Sequence, residues 1–289
     1  MLIVPERVAA ACRRAPERLA WLDQLPRVIR ELQDRWSLSL GAPFDGGEVS
    51  CSWVAPAVRH DGTRAVLKLG MPHMEGADEL PGLRFGDGDA TVRLLEADAD
   101  LNAMLLEHCE PGTGLRQRPE PEQDIVIAGL LRRLWRRPAT PHPFRPLSAM
   151  IAHWTDETIA APRGPDAGLV REGVRLLEEL ARPSSEDVLL ATDLHAGNVL
   201  RARREPWLAI DPKPFVGDRA YDATQHLLNC QGRMLKAPDA TIGRFADLLD
   251  VDAERVRRWI FARSAAEPRD TWNEESLTLA RALARGSRS

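Results

Sequence analysis

The pattern of apolar runs changes near residue 110, and that change limits the folds open to the chain. Before it, short strand-like runs alternate with glycine punctuation. Leu38–Pro43 is one, Val49–Val58 follows Gly46-Gly47, and Ala65–Leu69 follows Asp61-Gly62. Runs bounded this way predict a small antiparallel meander. A helical stretch over Glu75–Leu83 leads to two more strand-like runs, Thr91–Glu96 and Ala103–Glu107, closed by Pro111-Gly112. Ahead of the meander, Leu19, Leu22, Leu25, Val28, Ile29 and Leu32 recur at helical steps, so 1–36 is expected as a leading helix. Beyond residue 110 the period is helical over Asp124–Arg137, Leu147–Ile159, Gly168–Ala181, Arg219–Cys230, Thr241–Leu249, Ala253–Ala265 and Trp272–Ala284. Thr271 with Glu274 gives the last of these a capping-box start. Pro138–Pro146 carries four prolines in nine residues and is expected as an extended connector. The fold class is therefore α+β and bilobal. Residues 1–110 form a small antiparallel-sheet lobe, and 111–289 form a larger, mainly helical lobe.

Charge and cysteine usage exclude several partners. Against 43 acidic residues stand 39 Lys and Arg, a net charge of -4, which argues against nucleic acid. The basic run Arg132–Arg137 reads instead as a solvated helix end, where the dipole favours cations. Cys12, Cys51, Cys109 and Cys230 form no C-x-x-C pair, as expected of a protein in a reducing cytoplasm. No segment reaches the roughly 18 apolar residues of a membrane span. Val8–Cys12 resembles a lipoprotein cleavage box, but Pro5, Glu6 and Arg7 stand where an apolar region is needed, so no signal peptide is expected.

One stretch interrupts the helices of the second half. Val188–Ala191 is a short apolar strand, followed by the polar loop Asp193–Asn198. Val199–Arg201 and Trp207–Ile210 then read as a hairpin that runs directly into Asp211. Asp193 and Asn198, five apart, with a strand-end Asp211 beyond them, match the spacing by which protein kinases place a proton-accepting Asp and the amide and carboxylate that hold Mg²⁺. The same residues also suit ordinary turns.

The first half provides an independent check. Phosphoryl transfer uses a strand lysine near the α- and β-phosphates and a helix glutamate to hold it. In Ala65-Val66-Leu67-Lys68-Leu69 a lysine interrupts an apolar run, and Glu79 follows eleven residues later on the lobe's helical stretch, with Glu75 as the alternative partner. A strand-edge lysine reaching solvent would fit the same residues. Gly46-Gly47-Glu48-Val49-Ser50, between two strands, offers backbone N–H groups to phosphate or simply makes a turn. No G-x-x-x-x-G-K-[ST] occurs, so a P-loop NTPase is excluded.

In this order the chain resembles the aminoglycoside phosphotransferases, in the streptomycin 6-kinase and hydroxyurea-resistance kinase branch. The resemblance is carried by Pro43–Gly47, Ser52-Trp53-Val54, Ala65–Leu69, Val92–Leu95, Leu105–Glu107, Asp193–Leu200, Ile210-Asp211-Pro212-Lys213-Pro214 and Gly217-Asp218. Two departures stand out. Ala191-Thr192 replaces the His-Gly usual before the loop aspartate, and Pro212 follows the second metal residue. The resemblance implies a protein-kinase-like fold and an ATP- and Mg²⁺-dependent transfer to a hydroxyl. It implies that Asp193 accepts the proton, that Asn198 and Asp211 hold Mg²⁺, and that Lys68, paired to Glu79, meets the phosphates. It places Gly46, Gly47 and Ser50 over the phosphates and the backbone of Glu107, His108 and Cys109 against adenine. The implied acceptor is a cationic, hydroxylated antibiotic such as streptomycin, with Asp218 and Asp222 as acidic residues facing it. Hydroxyurea or an amino sugar is the alternative acceptor, and a non-catalytic pseudokinase the rival from another class.

Overall fold

Alternation along the strands decides which residues each face of the sheet presents. The protein is described by a computed structural model covering residues 2–13, 15–46, 51–161, 166–266 and 274–286. It divides into two compact units. The first comprises Met1–Gly114 and Leu200–Ile210, the second Leu115–Val199 and Asp211–Ser289. The segment Leu200–Ile210, expected within the second lobe, thus packs with the first unit.

The first unit opens with α1 (Glu6–Cys12) and α2 (Pro16–Trp36), where a single leading helix was expected. Pro16 explains the break, because it has no N–H to continue a helix and suits the first helical position. Strands β1 (Leu38–Leu40), β2 (Ser52–Arg59), β3 (Arg64–Gly70), β4 (Leu94–Asp98) and β5 (Ala103–Glu107) form one antiparallel sheet in the order β1-β2-β3-β5-β4, with α3 (Glu79–Gly86) between β3 and β4. Successive strand residues face opposite sides. Leu67 and Leu69 pack with Trp53, Ala55 and Leu105 against Leu25, Val28, Ile29 and Leu32 of α2. Val66, Met104 and Leu106 pack on the other side with Leu80 and Leu83 of α3. Lys68 therefore falls on the α3 face, so it interrupts the apolar run without entering the α2 core.

The second unit begins with α4 (Glu120–Leu134), α5 (Leu147–Ala160), α6 (Ala167–Leu180) and β6 (Val188–Leu190). The loop 191–198 leads into β7 (Val199–Leu200), which pairs with β8 (Leu208–Ala209) in the segment that packs with the first unit. Then come β9 (Phe215–Gly217), antiparallel to β6, and α7 (Arg219–Leu228), α8 (Gln231–Lys236), α9 (Pro238–Leu249), α10 (Ala253–Ala266) and α11 (Glu274–Gly286). Thr271, half of the expected capping box, lies outside the described residues. No helix among the described residues is long and apolar enough to cross a membrane.

One carboxylate ties four of these helices together. Asp124 of α4 accepts from Arg233 of α8 through Nη1 and Nη2, both at 2.8 Å, and from Arg244 Nε of α9 at 3.2 Å. His226 Nε2 of α7 stands 2.9 Å from Asp124 Oδ1. Burial alone would raise the Asp124 carboxyl, but Arg233 and His226 hold it well below the usual carboxylate range. Burial likewise pulls His226 down, and the bond to Asp124 outweighs it and raises the imidazole pKa. Asp124, His226 and Cys230 gather donors of metal-ligand type, yet two guanidinium groups already neutralise the carboxylate, so the cluster is an ion-pair knot.

Removing that carboxylate leaves the buried His226 without its acceptor and takes a partner from Arg233 and Arg244. Asp124→Ala is expected to lower the unfolding free energy by about 3–5 kcal/mol. The His226 contribution is fully present below its unfolded pKa and is lost as pH rises through the raised folded value. Urea unfolding should therefore show a larger penalty at pH 6 than at pH 8.5.

Candidate active-site residues

In the first unit, Lys68 meets Glu79 by a buried ion pair, Nζ to Oε1 at 2.5 Å. The pairing follows from local structure. Lys68 lies on the α3 face of β3, and Glu79 is the first residue of α3, where a carboxylate also suits the helix N-terminus. Burying both charges costs desolvation that their attraction barely repays. The pair thus adds little stability and fixes the ammonium in place off the strand.

The segment after β5 is held from the side. Glu107 and Arg93 exchange contacts, with Glu107 N–H donating to Arg93 O at 2.9 Å and Arg93 N–H to Glu107 Oε2 at 3.0 Å. Arg204 grips the same carboxylate through Nε to Oε1 at 3.0 Å and Nη2 to Oε2 at 2.9 Å. It also donates to Gly88 O and Thr91 O. Burial works to raise the Glu107 carboxyl, and Arg204 with the Arg93 N–H holds it below its ordinary value. Burial lowers His108 and pushes the Cys109 thiol up to about 11, so both are neutral near pH 7. The Glu107 side chain is therefore an anchor for this segment. Gly46 is exposed with open space around it, while Gly47 and Ser50 lie outside the described residues.

In the second unit the loop brings Asp193 and Asn198 together. Asn198 Nδ2 donates to Asp193 O at 3.0 Å and approaches Oδ2 at 3.4 Å. That turns the amide oxygen of Asn198 away as its remaining ligand atom. Asp211 carries a left-handed φ of 56° and pairs with Lys213 Nζ. Asn198 and Asp211 offer hard oxygen donors of the kind Mg²⁺ takes, and that ion needs few protein ligands. His195 accepts from Gly197 N–H at Nδ1, 3.0 Å, and burial together with Arg116 pushes its pKa down to about 4. It is neutral and shapes the loop.

Asp218 and Asp222, expected to face a cationic acceptor, do otherwise. Asp218 caps α7 by accepting from Ala220 N–H at 3.0 Å, and it binds Arg255 Nε at 2.5 Å and Trp259 Nε1 at 2.7 Å. Asp222 is 2% exposed. Its Oδ2 accepts from Ala191 N–H and Trp135 Nε1, each at 2.9 Å, and its Oδ1 from Thr192 N–H at 2.7 Å. Neither has an oxygen turned to a ligand, because helix geometry aims them at the loop backbone and core. Gln225, which the sequence reading passed over, donates Nε2 to Asp193 Oδ1 at 2.6 Å.

An asparagine at 222 would set an –NH₂ against a backbone N–H. Asp222→Asn is expected to cost about 1–3 kcal/mol of stability. Burial raises the Asp222 carboxyl from 3.8 to about 6, so between those values the native state holds a proton that the unfolded chain has lost. Wild-type stability falls as pH rises through that window, and the Asn variant lacks this fall. Urea titrations should show a narrower gap between the two proteins at pH 7 than at pH 5.

A family model described as aminoglycoside/hydroxyurea antibiotic resistance kinase matches residues 35–275. Streptomycin 6-kinase of Streptomyces glaucescens is 36% identical over 273 residues, covering 90% of this chain and 88% of that protein. Hydroxyurea phosphotransferase of Kitasatospora aureofaciens is 38% identical over 251 residues, covering 84% and 72%. Among solved structures, a thermostable mutant of an aminoglycoside phosphotransferase, in a ternary complex with AMP-PNP and hygromycin B, matches with a TM-score of 0.57. That match spans 90% of this chain and 99% of the other at 14% identity, so it bears on fold, which is protein-kinase-like as expected. With a sheet unit carrying Lys68–Glu79, a helical unit carrying the Asp193–Asn198 loop, and a match over most of its length, the chain belongs to the aminoglycoside/hydroxyurea antibiotic resistance kinases.

Proposed function

We propose that this kinase transfers the γ-phosphoryl group of ATP to a hydroxyl of an aminoglycoside, streptomycin-like in character. Identity to a streptomycin 6-kinase across 90% of the chain carries the reading, because it spans the loop that holds the acceptor-activating residue. Asp193 orients the acceptor hydroxyl and takes its proton as the bond to phosphorus forms. Lys68, held rigid by Glu79, meets the α- and β-phosphates, and the backbone of Glu107–Cys109 receives adenine. Asn198 and Asp211 are the residues that would hold Mg²⁺, which supplies charge neutralisation across the β- and γ-phosphates. The first unit is then the nucleotide-binding lobe and the second the catalytic and acceptor lobe. No second nucleophile is needed, so transfer is direct and in line.

Hydroxyurea is the second reading, favoured by the 38% identity to a hydroxyurea phosphotransferase. The streptomycin reading is preferred because the match covers more of both chains. An acceptor bearing guanidinium groups would pair with carboxylates in bidentate fashion.

The test is ADP release with streptomycin, other aminoglycosides and hydroxyurea at low and high salt. Streptomycin should support turnover, with affinity falling as salt screens charge. Turnover on hydroxyurea alone would transfer the assignment to the second reading. In the same assay Asp193→Asn should lower kcat by about 10²–10⁴-fold while nucleotide binding persists. Asp211→Ala should abolish Mg²⁺-dependent ATP binding in calorimetry, and Asn198→Ala should weaken it.

A further inference from the structure

The loop aspartate is gripped from a helix outside its own loop. Gln225 stands on α7 and donates Nε2 to Asp193 Oδ1 at 2.6 Å. An amide side chain can present either nitrogen or oxygen, and here a neighbour makes the choice. Arg263 of α10 donates Nη2 to Gln225 Oε1 at 2.8 Å. A guanidinium has donors and no acceptor, so the Gln225 oxygen must face Arg263 and the nitrogen must face Asp193.

Arg263 is itself immobilised. Its Nη1 donates to Thr224 Oγ1 at 2.5 Å, and its guanidinium lies 5.0 Å from the Tyr221 ring centroid and 5.7 Å from that of Trp154. It is the single buried arginine among the described residues. Burying a cation is costly unless the charge is used. Its field also favours the ionised form of Asp222, which holds the backbone of Ala191 and Thr192 just ahead of Asp193. One buried cation thus serves the loop twice, through Asp222 to the backbone and through Gln225 to the side chain.

We infer that Gln225, oriented by Arg263, is a positioning residue that sets the Asp193 carboxylate in the geometry transfer requires. This rests on the reading of Asp193 as the group that receives the acceptor proton. Without the Gln225 donor, the carboxylate gains torsional freedom about its side-chain bonds, and misplacement of a reacting group by about 1 Å can cost on the order of 10²-fold in rate.

Two variants of the full chain separate this role from space filling. Gln225→Met keeps the bulk without the donor. Gln225→Glu keeps the shape and an oxygen for Arg263 but cannot donate when ionised. Both are expected to bind Mg·ATP in calorimetry within about threefold of wild type, to leave the acceptor KM nearly unchanged, and to lose about 10–100-fold in kcat. Placed on Asp193→Asn, Gln225→Met should then lower kcat by less than about threefold, since the partner it positions is already disabled. Wild-type kcat in Gln225→Glu would overturn the inference. So would a Gln225→Met loss that repeats in full on Asp193→Asn, because a packing defect acts in both backgrounds. Should Gln225→Met fail to fold, the Glu variant carries the decision alone. If Asp193→Asn itself turns over like wild type, the reading of Asp193 falls, and the inference with it. If Asp193→Asn is crippled and both Gln225 variants are normal, the inference alone falls.

Discussion

Three N–H groups pointing at the carboxylate of Asp222 hold the second unit's chemistry in place. Thr192 adopts a φ of 48°, a conformation that a β-branched residue resists at a cost of order 1–3 kcal/mol. It is held there from two sides. Asp222 takes its N–H, and its hydroxyl donates to Lys213 O. Lys213 N–H returns a bond to Ala191 O at 3.0 Å, stitching the segment before Asp193 to the segment after Asp211. Asp193 and Asp211 are therefore placed by backbone hydrogen bonds that converge on a buried, fully engaged carboxylate. The departure from His-Gly to Ala191-Thr192 is absorbed by this clamp, with the threonine hydroxyl supplying a bond that glycine has no atom to make.

Buried charge appears in three forms, each with a different consequence. Asp124 is surrounded by guanidinium and imidazole and crosslinks helices α4, α7, α8 and α9. Lys68 and Glu79 form a buried ion pair, weak as a source of stability and strong as a means of fixing one ammonium. Arg263 lies against two aromatic rings and donates to Gln225, whose amide in turn donates to Asp193. A buried ion is justified by what it orients as much as by what it stabilises.

Much of this was legible in the sequence where a single residue broke a clear period. Lys68 stood out because it interrupts an apolar run, and Glu79 because it was one of few acids on the lobe's helical stretch. The limits of β5 were readable because Ala103–Glu107 is bounded by polar residues and a turn signal. Three features were not readable. Strand β9 is three residues long and follows two prolines, so it lacks the length that shows a period. Helix α8 has six residues, too few for amphipathic signal. The packing of Leu200–Ile210 with the first unit depends on contacts such as Ala209 N–H to Ala90 O at 2.9 Å, between residues more than a hundred apart in sequence. Asp218 and Asp222 were misread for another reason. Charge was taken as a sign of exposure, although Asp222 and His226 lie one helical turn apart on a buried face of α7. That spacing was the available clue, and Gln225 beside it belongs to the same reading.

Exposure then sorts the carboxylates by task. The side chains of Asp193 and Asp211 retain 32% and 30% exposure, whereas those of Asp218 and Asp124 retain 16% and 1%. A carboxylate that must release or accept a proton, or receive a cation, needs an open approach. One that caps a helix or clamps a loop gains from losing it, because its bonds strengthen in a low dielectric. The acids that look alike in sequence thus divide physically into two open carboxylates and several fasteners. Recognition of a cationic acceptor cannot come from the fasteners, since each of their oxygens already serves an N–H of the protein.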